Sequence, residues 1–438
     1  VPRPSSRRDP AGLTRYAPAF ASLVALVLYA TLSILMWRIH YSPSWDLGIF
    51  TQLLTRYAAF EVPIVEIKGP GFNLWGDHFH PILILLTPLF ALFPSGLTLM
   101  LAQAVLFAAS VWPVVSLALE RLTRKGAWLL AISYVMSWGL VNAVIAQFHE
   151  IAFAVPLLAF GLVGWIRGKR LGPAVAIALL VFVKEDLGLT VAMFGAAIWL
   201  RDRSDLRYAL YLAGWGVAWT AYAVLIFIPA FNVEGGYDYT DNVTLMETLT
   251  AGLTTKIGTL GFLALAAGVI GLRSPFMLLM LPTLGWRFLG NVEGYWDTSF
   301  HYSAVLIPIA AVSLIDGAGR PHRTLAPAVA AVSALALLSQ TSIHLLWEAD
   351  RYRVDGAGAV AAAREYGSVV TDVRLLAYLA PHTGTYWYGS SEEFVPEAVA
   401  LRPDDLEQPV EQWAEARYGG DWHLTYEGGG YQVVTGGG

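Results

Sequence analysis

The chain predicts an all-α polytopic membrane protein of about eleven transmembrane helices. A long first extracytoplasmic loop and a small α/β domain at the C-terminal end complete the expected architecture. Three observations carry that reading. Of 438 residues, 56% are hydrophobic and 14% charged, against roughly a quarter charged in soluble domains. Apolar runs recur along the chain, separated by short polar breaks. The basic residues, finally, fall unevenly between alternate breaks.

The apolar runs place spans at 17–37, 97–119, 127–146, 150–166, 171–183, 187–200, 208–229, 257–272, 275–289, 301–316 and 325–346. The longest of them reach the roughly 20 residues that cross a hydrocarbon core of about 30 Å. The first run has no small-residue cleavage pattern and leads into further spans, so it reads as a helix rather than a removable signal. Residues 81–93 form an apolar stretch of 13, bounded by prolines. That is too short to cross and predicts a re-entrant or interfacial segment. Lys184-Glu185-Asp186 breaks two short runs and predicts a loop or an interrupted helix.

With the N-terminus inside, Arg3, Arg7, Arg8, Arg15, Arg121, Arg124, Lys125, Arg167, Lys169, Arg170, Arg201, Arg203, Arg207, Arg273, Arg320 and Arg323 face the cytoplasm. Only Arg38, Arg56, Lys68, Lys184, Lys256 and Arg287 remain in the outer connections, a clear positive-inside bias. This predicts a multi-pass protein of the cytoplasmic membrane with residues 1–346 as the membrane domain. The loop 38–96, a polar loop around 232–255 and the segment 347–438 lie outside. In that last segment Glu348–Tyr366 predicts helix, and 367–372, 385–389 and 431–435 predict short strands. The absence of cysteine excludes disulfides and thiolate chemistry. A net charge of −5 says little for a chain in lipid, and no nucleic-acid partner is expected.

Almost every ionisable cluster falls on the outer side. Asp46 opens a segment whose apolar positions 47, 50, 54 and 57 share one helical face, which predicts an amphipathic helix on the membrane surface. A carboxylate there caps a helix N-terminus or acts as a general base, and the two roles are compatible. Gly76-Asp77-His78-Phe79-His80-Pro81 sets three ligand-type side chains within four residues. In extended chain His78 and His80 point the same way, which suits a divalent metal ion with a carboxylate. The bland reading is an interfacial cluster satisfied by backbone and water.

His149-Glu150 and Lys184-Glu185-Asp186 stand at outer span ends, where charges pair with one another or face a polar cavity. Lys184 either neutralises Glu185 or Asp186, or meets a substrate phosphate. Arg287 is placed to anchor a lipid phosphate. Trp286, Glu293, Tyr295-Trp296-Asp297 and His301-Tyr302 complete the outer surface, the aromatic residues serving as interfacial belt or sugar platform.

Trp45–Gln52, Gly76–Pro81, Phe148-His149-Glu150 and Lys184-Glu185-Asp186 together resemble an uncharacterised family of bacterial and archaeal polytopic membrane proteins. That family is similar in layout to the GT-C glycosyltransferases, whose first outer loop carries an acidic catalytic residue on juxtamembrane helices. The resemblance covers about residues 20–310 and implies transfer of a sugar from a polyprenyl-phosphate donor, with inversion. The acceptor would be an extracytoplasmic glycan, lipid or protein of the cell envelope. Asp46 takes the place of the first-loop acid. The loop lacks a compact Asp-x-Asp or Glu-x-Asp pair, and Asp77, the next acid considered, stands well downstream. Two other classes fit parts of the pattern. A transporter or flippase would also set ionisable groups between helices, but no inverted repeat is visible. A metallohydrolase could use His78, His80 and His149, but the chain has no His-Glu-x-x-His helix.

Overall fold

In the computed structural model, residues 15–237, 248, 250–391 and 394–437 are described. Five helical stretches among them are long and apolar enough to cross a membrane: Ala17–Arg38 (α1), Gly96–Arg121, Arg124–Ile145, Arg203–Phe231 and Arg320–Gln340. Glu150–Ile166, Leu171–Phe182, Leu187–Arg201, Leu253–Ala266, Pro275–Leu289 and Leu306–Gly317 are apolar helices of 10–17 residues. These match the expected spans one for one. Several of the short ones contain a 3₁₀ turn, as at Glu150–Phe153, Leu179–Phe182 and Pro275–Met280. A 3₁₀ turn rises about 2.0 Å per residue and so reaches further than α-helix of the same length.

The partial segment is a 3₁₀ turn over Pro81–Leu86 followed by a helical turn over Thr87–Leu92. It buries Phe90 but leaves Leu85, Leu92 and Phe93 exposed, as an interfacial element would. Lys184-Glu185-Asp186 forms a tight turn between two helices. Residues 238–247 and 249 of the polar loop expected at 232–255 lie outside the described residues.

The two ends of the bundle differ. At one end arginines pair with acids across helix termini: Arg167 with Glu120 at 2.5 Å, Arg170 with Asp205 at 2.9 Å, Arg201 with Asp316 at 2.5 Å. At the other end the helices open around the first loop. There Asp46–Ala58 (α2) forms the expected helix, but it does not lie on an open lipid surface. Leu47 through Leu54 are all buried, Thr51 and Gln52 included.

The covering layer is the segment beyond Trp347. Its strands are Ser368–Thr371 (β1), Gly384–Trp387 (β2), Ala398–Leu401 (β3), Asp421–Gly428 (β4) and Tyr431–Gly437 (β5). They form one mixed sheet in the order β2-β1-β3-β5-β4. β1 runs parallel to β2 and β3, while β5 is antiparallel to β3 and β4. The strands expected at 367–372, 385–389 and 431–435 are present. The helix expected over Glu348–Tyr366 is broken into short turns and a helix at Ala357–Ala363.

The sheet is tied to α2 by directed bonds. The Gln52 amide donates to the Thr385 carbonyl at 3.0 Å, and its carbonyl accepts from Ile67 N–H at 3.1 Å. Ser390 donates to the Ile67 carbonyl at 2.6 Å. A Cβ at Gly48 would stand 2.6 Å from Leu376 Cβ, so only glycine lets the two elements meet this closely. Trp37 stacks on Tyr378 at 3.8 Å, fixing the end of α1 to the same layer.

Candidate active site

A cavity of about 740 Å³ opens where α2, the 66–80 segment, the 147–150 turn, the 184–186 turn and the 286–302 segment converge. Its wall includes Asp46, Asp77, His78, His80, His149, Glu150, Lys184, Glu185, Asp186 and His301. Ten of the thirteen site residues expected from sequence thus share one chamber, although they come from five separate stretches of chain.

Asp46 is the first helical residue of α2, not its cap. Trp45 holds the cap position, and the Asp46 carboxylate turns to His149, whose Nε2 stands 3.4 Å from Oδ2. A third of the Asp46 side chain is exposed, against 4% for His149. Asp46 therefore meets the cavity and His149 stands behind it. Burial pushes the Asp46 carboxyl up, but the hydrogen bond and charge of His149, with Ser44 and Lys184, outweigh it and hold the group at about 2. His149 Nδ1 lies 3.3 Å from the Gln147 carbonyl, and its ring stacks on His301 at 3.5 Å. Gln103 braces this turn, accepting from His149 N–H and donating to the Ala143 and Gln147 carbonyls. Gln147 takes a left-handed φ of 70°, a strained conformation for a residue with a side chain.

The cations are arranged differently from the simplest sequence expectation. Lys184 pairs with Glu150 at 3.0 Å, not with its neighbours Glu185 and Asp186. Adjacent residues in a turn diverge, whereas Glu150 begins the facing helix. Lys68 pairs with Asp77 at 2.6 Å and also lines the cavity. Sequence reasoning counted Lys68 only as a loop charge. The flanking Gly69-Pro70-Gly71 signalled a turn that brings it back to Asp77. Trp286, Tyr295 and Tyr302, expected from sequence as interfacial belt or sugar platform, also line the chamber, and Tyr237 is a further lining residue that carried no role at the sequence level.

Three expected residues stand away from the wall. Arg287 is fully buried, and its guanidinium donates to the Tyr295 and Asp297 carbonyls and to Ser303 Oγ. With its donors directed at the 295–303 segment it acts as a brace, which corrects the expectation of a phosphate anchor. Trp296 is buried, donates to the Gly290 carbonyl and lies under the Lys256 ammonium at 4.4 Å. Glu293 is exposed and outside the lining. Trp296 closes the helical turn at Glu293–Trp296 and packs against Gly252, while Glu293 stands at the exposed start of that turn.

His78 and His80 both face the chamber with different partners. His78 Nδ1 is 2.8 Å from Glu185 Oε1, while Glu185 Oε2 accepts from Phe79 N–H at 3.1 Å. Burial pushes the His80 imidazole down to about 4, so it is neutral near pH 7. Among the described residues no three His, Asp or Glu side chains converge in a metal-holding arrangement. His78 with Glu185, and Asp77 with Lys68, are committed to ion pairs, while His80 makes none and its buried Nδ1 has no hydrogen-bond partner among the described residues, so the set does not offer the three converging ligands of a divalent site. Asp186 accepts from Trp286 Nε1 at 2.9 Å. Burial, with the neighbouring Glu185 charge, pushes its carboxyl up to about 6.

The His78–Glu185 pair sets a stability window. Burial and the Lys184 charge push His78 down, but the Glu185 and Asp77 carboxylates prevail and raise it above 6.5. Burial pushes Glu185 up, yet His78 and Lys184 hold it at about 2. The raised imidazole contributes stability below 6.5 that disappears as pH rises through its folded value. The lowered carboxyl contributes above 4.5 and loses it as pH falls toward about 2. Thermal stability in detergent is expected to fall on the alkaline side, and His78→Gln is expected to flatten that decline. An unchanged alkaline decline in His78→Gln would count against the pair.

The fold has relatives among solved structures. ArnT from Cupriavidus metallidurans bound to undecaprenyl phosphate superposes with a TM-score of 0.58 at 12% identity, covering 95% of this chain and 97% of that one. The apo structure of the same protein gives 0.56 at 12% identity, covering 93% and 97%. At this identity the likeness shows a shared fold. No curated protein sequence matches the chain. The family model described as "Predicted membrane protein (DUF2079)" matches residues 37–348, and the chain therefore belongs to the DUF2079 family of membrane proteins.

Proposed function

We propose that the chain is a membrane glycosyltransferase that moves a sugar from a polyprenyl-phosphate donor to a hydroxyl acceptor outside the cytoplasmic membrane. The observation that carries this reading is one exposed, ionised carboxylate, Asp46, in a chamber that also holds two lysines. The relative ArnT is bound to undecaprenyl phosphate, which supports a lipid-phosphate donor. In the proposed step Asp46 takes the acceptor hydroxyl proton as the acceptor oxygen attacks the anomeric carbon from the face opposite the phosphate. The new C–O bond forms while the bond to the phosphate oxygen breaks. Its electron pair leaves with the phosphate, whose charge is met by Lys68 and Lys184. His149 keeps Asp46 oriented. No step requires a metal, and the lysines supply the positive charge that a divalent cation would bring.

The test is transfer of labelled sugar from synthetic polyprenyl-phosphate sugars to a membrane fraction by the purified protein. Inverted stereochemistry and full activity in chelator are expected. Release or transfer of no sugar from any donor would reject the reading, and loss in chelator would reject the lysine role. The orientation is tested separately. A thiol label is expected to reach Gly235→Cys from outside intact cells and to miss Ser204→Cys, since the arginine-rich end is placed inside. Reversed labelling would put the chamber in the cytoplasm and remove this class of donor.

A further inference from the structure

Beside the main chamber lies a side pocket of about 20 Å³, lined by Ile151, Lys184, Asp186, Leu187, Thr283, Trp286, His301, Tyr302 and Val305. Lys184, Asp186, Trp286, His301 and Tyr302 border both spaces, so the pocket adjoins the chamber. We propose that this pocket takes the exocyclic hydroxymethyl group of the donor sugar and makes the site selective for hexoses over pentoses. The inference rests on the glycosyltransferase reading and adds the class of sugar.

The wall above the pocket is built to hold a sugar ring. Trp286, Tyr295 and Tyr302 pack edge to face on one another, with centroids 5.3, 5.7 and 5.0 Å apart. Three rings locked in this way are rigid. The Trp286 N–H is committed to Asp186, which fixes the orientation of the indole. A pyranose presents an apolar C–H face that suits such a surface.

The pocket itself has two chemical halves. Ile151, Leu187 and Val305 are apolar and suit a methylene. Asp186 Oδ1 and His301 Nδ1 are buried polar atoms with no hydrogen-bond partner among the described residues. His301 is 92% buried, being 8% exposed, and is held by its stack on His149. A hydroxyl carries one donor and two acceptor sites, so it can engage both atoms at once. The volume exceeds the roughly 10–15 Å³ that admits a water-sized group. A hydroxymethyl group suits a space of this size. A pentose leaves the two polar groups without the sugar hydroxyl. Sites built to bond a hydroxyl discriminate strongly against analogues lacking it.

The test compares undecaprenyl-phosphate glucose, mannose and galactose with the corresponding xylose and arabinose donors, using the full chain in detergent. The readout is relative kcat/KM, with binding of bare undecaprenyl phosphate measured in parallel. At least one hexose is expected to exceed both pentoses by about tenfold or more. Thr283→Ile, which fills the pocket, is expected to bring that ratio near one while leaving binding of the bare lipid phosphate unchanged. Val305→Phe serves the same purpose should Thr283→Ile fail to fold. Pentoses used as well as hexoses by the native chain, or a ratio unmoved in a folded filling variant, would overturn the inference and leave the transferase reading standing. Turnover of no donor would overturn both.

Discussion

Asp46→Asn is expected to fold normally and to lose sugar transfer by roughly 100-fold or more, the scale on which a positioned general base contributes. The substitution keeps the shape of the side chain and a hydrogen-bond acceptor for His149. It leaves the helix start intact, because Trp45, not Asp46, occupies the cap. What it removes is the negative charge that receives the acceptor proton. Unfolding temperature in detergent reports the first part and labelled-sugar transfer the second. A folded Asp46→Asn variant with native transfer would take Asp46 out of the mechanism and make Asp77 the acid to examine next.

Lys184→Met is expected to act on both stability and activity. The Lys184 side chain is 15% exposed and that of Glu150 3%, so removing the ammonium strands a buried carboxylate. Breaking a buried pair in this way costs about 3–5 kcal/mol. Lys184→Met/Glu150→Gln removes both charges, and most of the lost stability is expected to return. Transfer is not expected to return, because the departing phosphate is left with Lys68 alone, a loss worth roughly 10²–10³ in rate. A double variant that recovers transfer along with stability would show that Lys184 serves only its partner.

Much of the membrane architecture was legible in the sequence because lipid imposes one rule on every span, a continuous apolar run. The chamber residues were legible for a related reason. Ionisable groups at span ends, such as His149, Glu150 and Lys184, are costly unless they share a polar space. Pairing was not legible. Which acid meets Lys184 depends on how two helices face each other, and that information is not local. The same limit applies to Arg287, whose type fits a phosphate but whose guanidinium is consumed by carbonyls eight and ten residues away. In the sheet, Ala398–Leu401 reads Ala-Val-Ala-Leu, too short and too uniformly apolar to show a strand period. Asp421–Gly428 buries only Trp422 and so lacks the apolar face that marks a strand.

The bond from Gln52 to Thr385 has a further consequence, in time rather than in space. Asp46 and Gln52 share one short helix, and the strand that receives the Gln52 amide lies 333 residues further along the chain. During synthesis the helix is made long before that strand exists. Until it arrives, Gln52 has no strand to bond, and the face of α2 around Gly48 is uncovered. The Asp46 carboxylate therefore acquires its final setting only when the sheet that receives Gln52 has been made and folded.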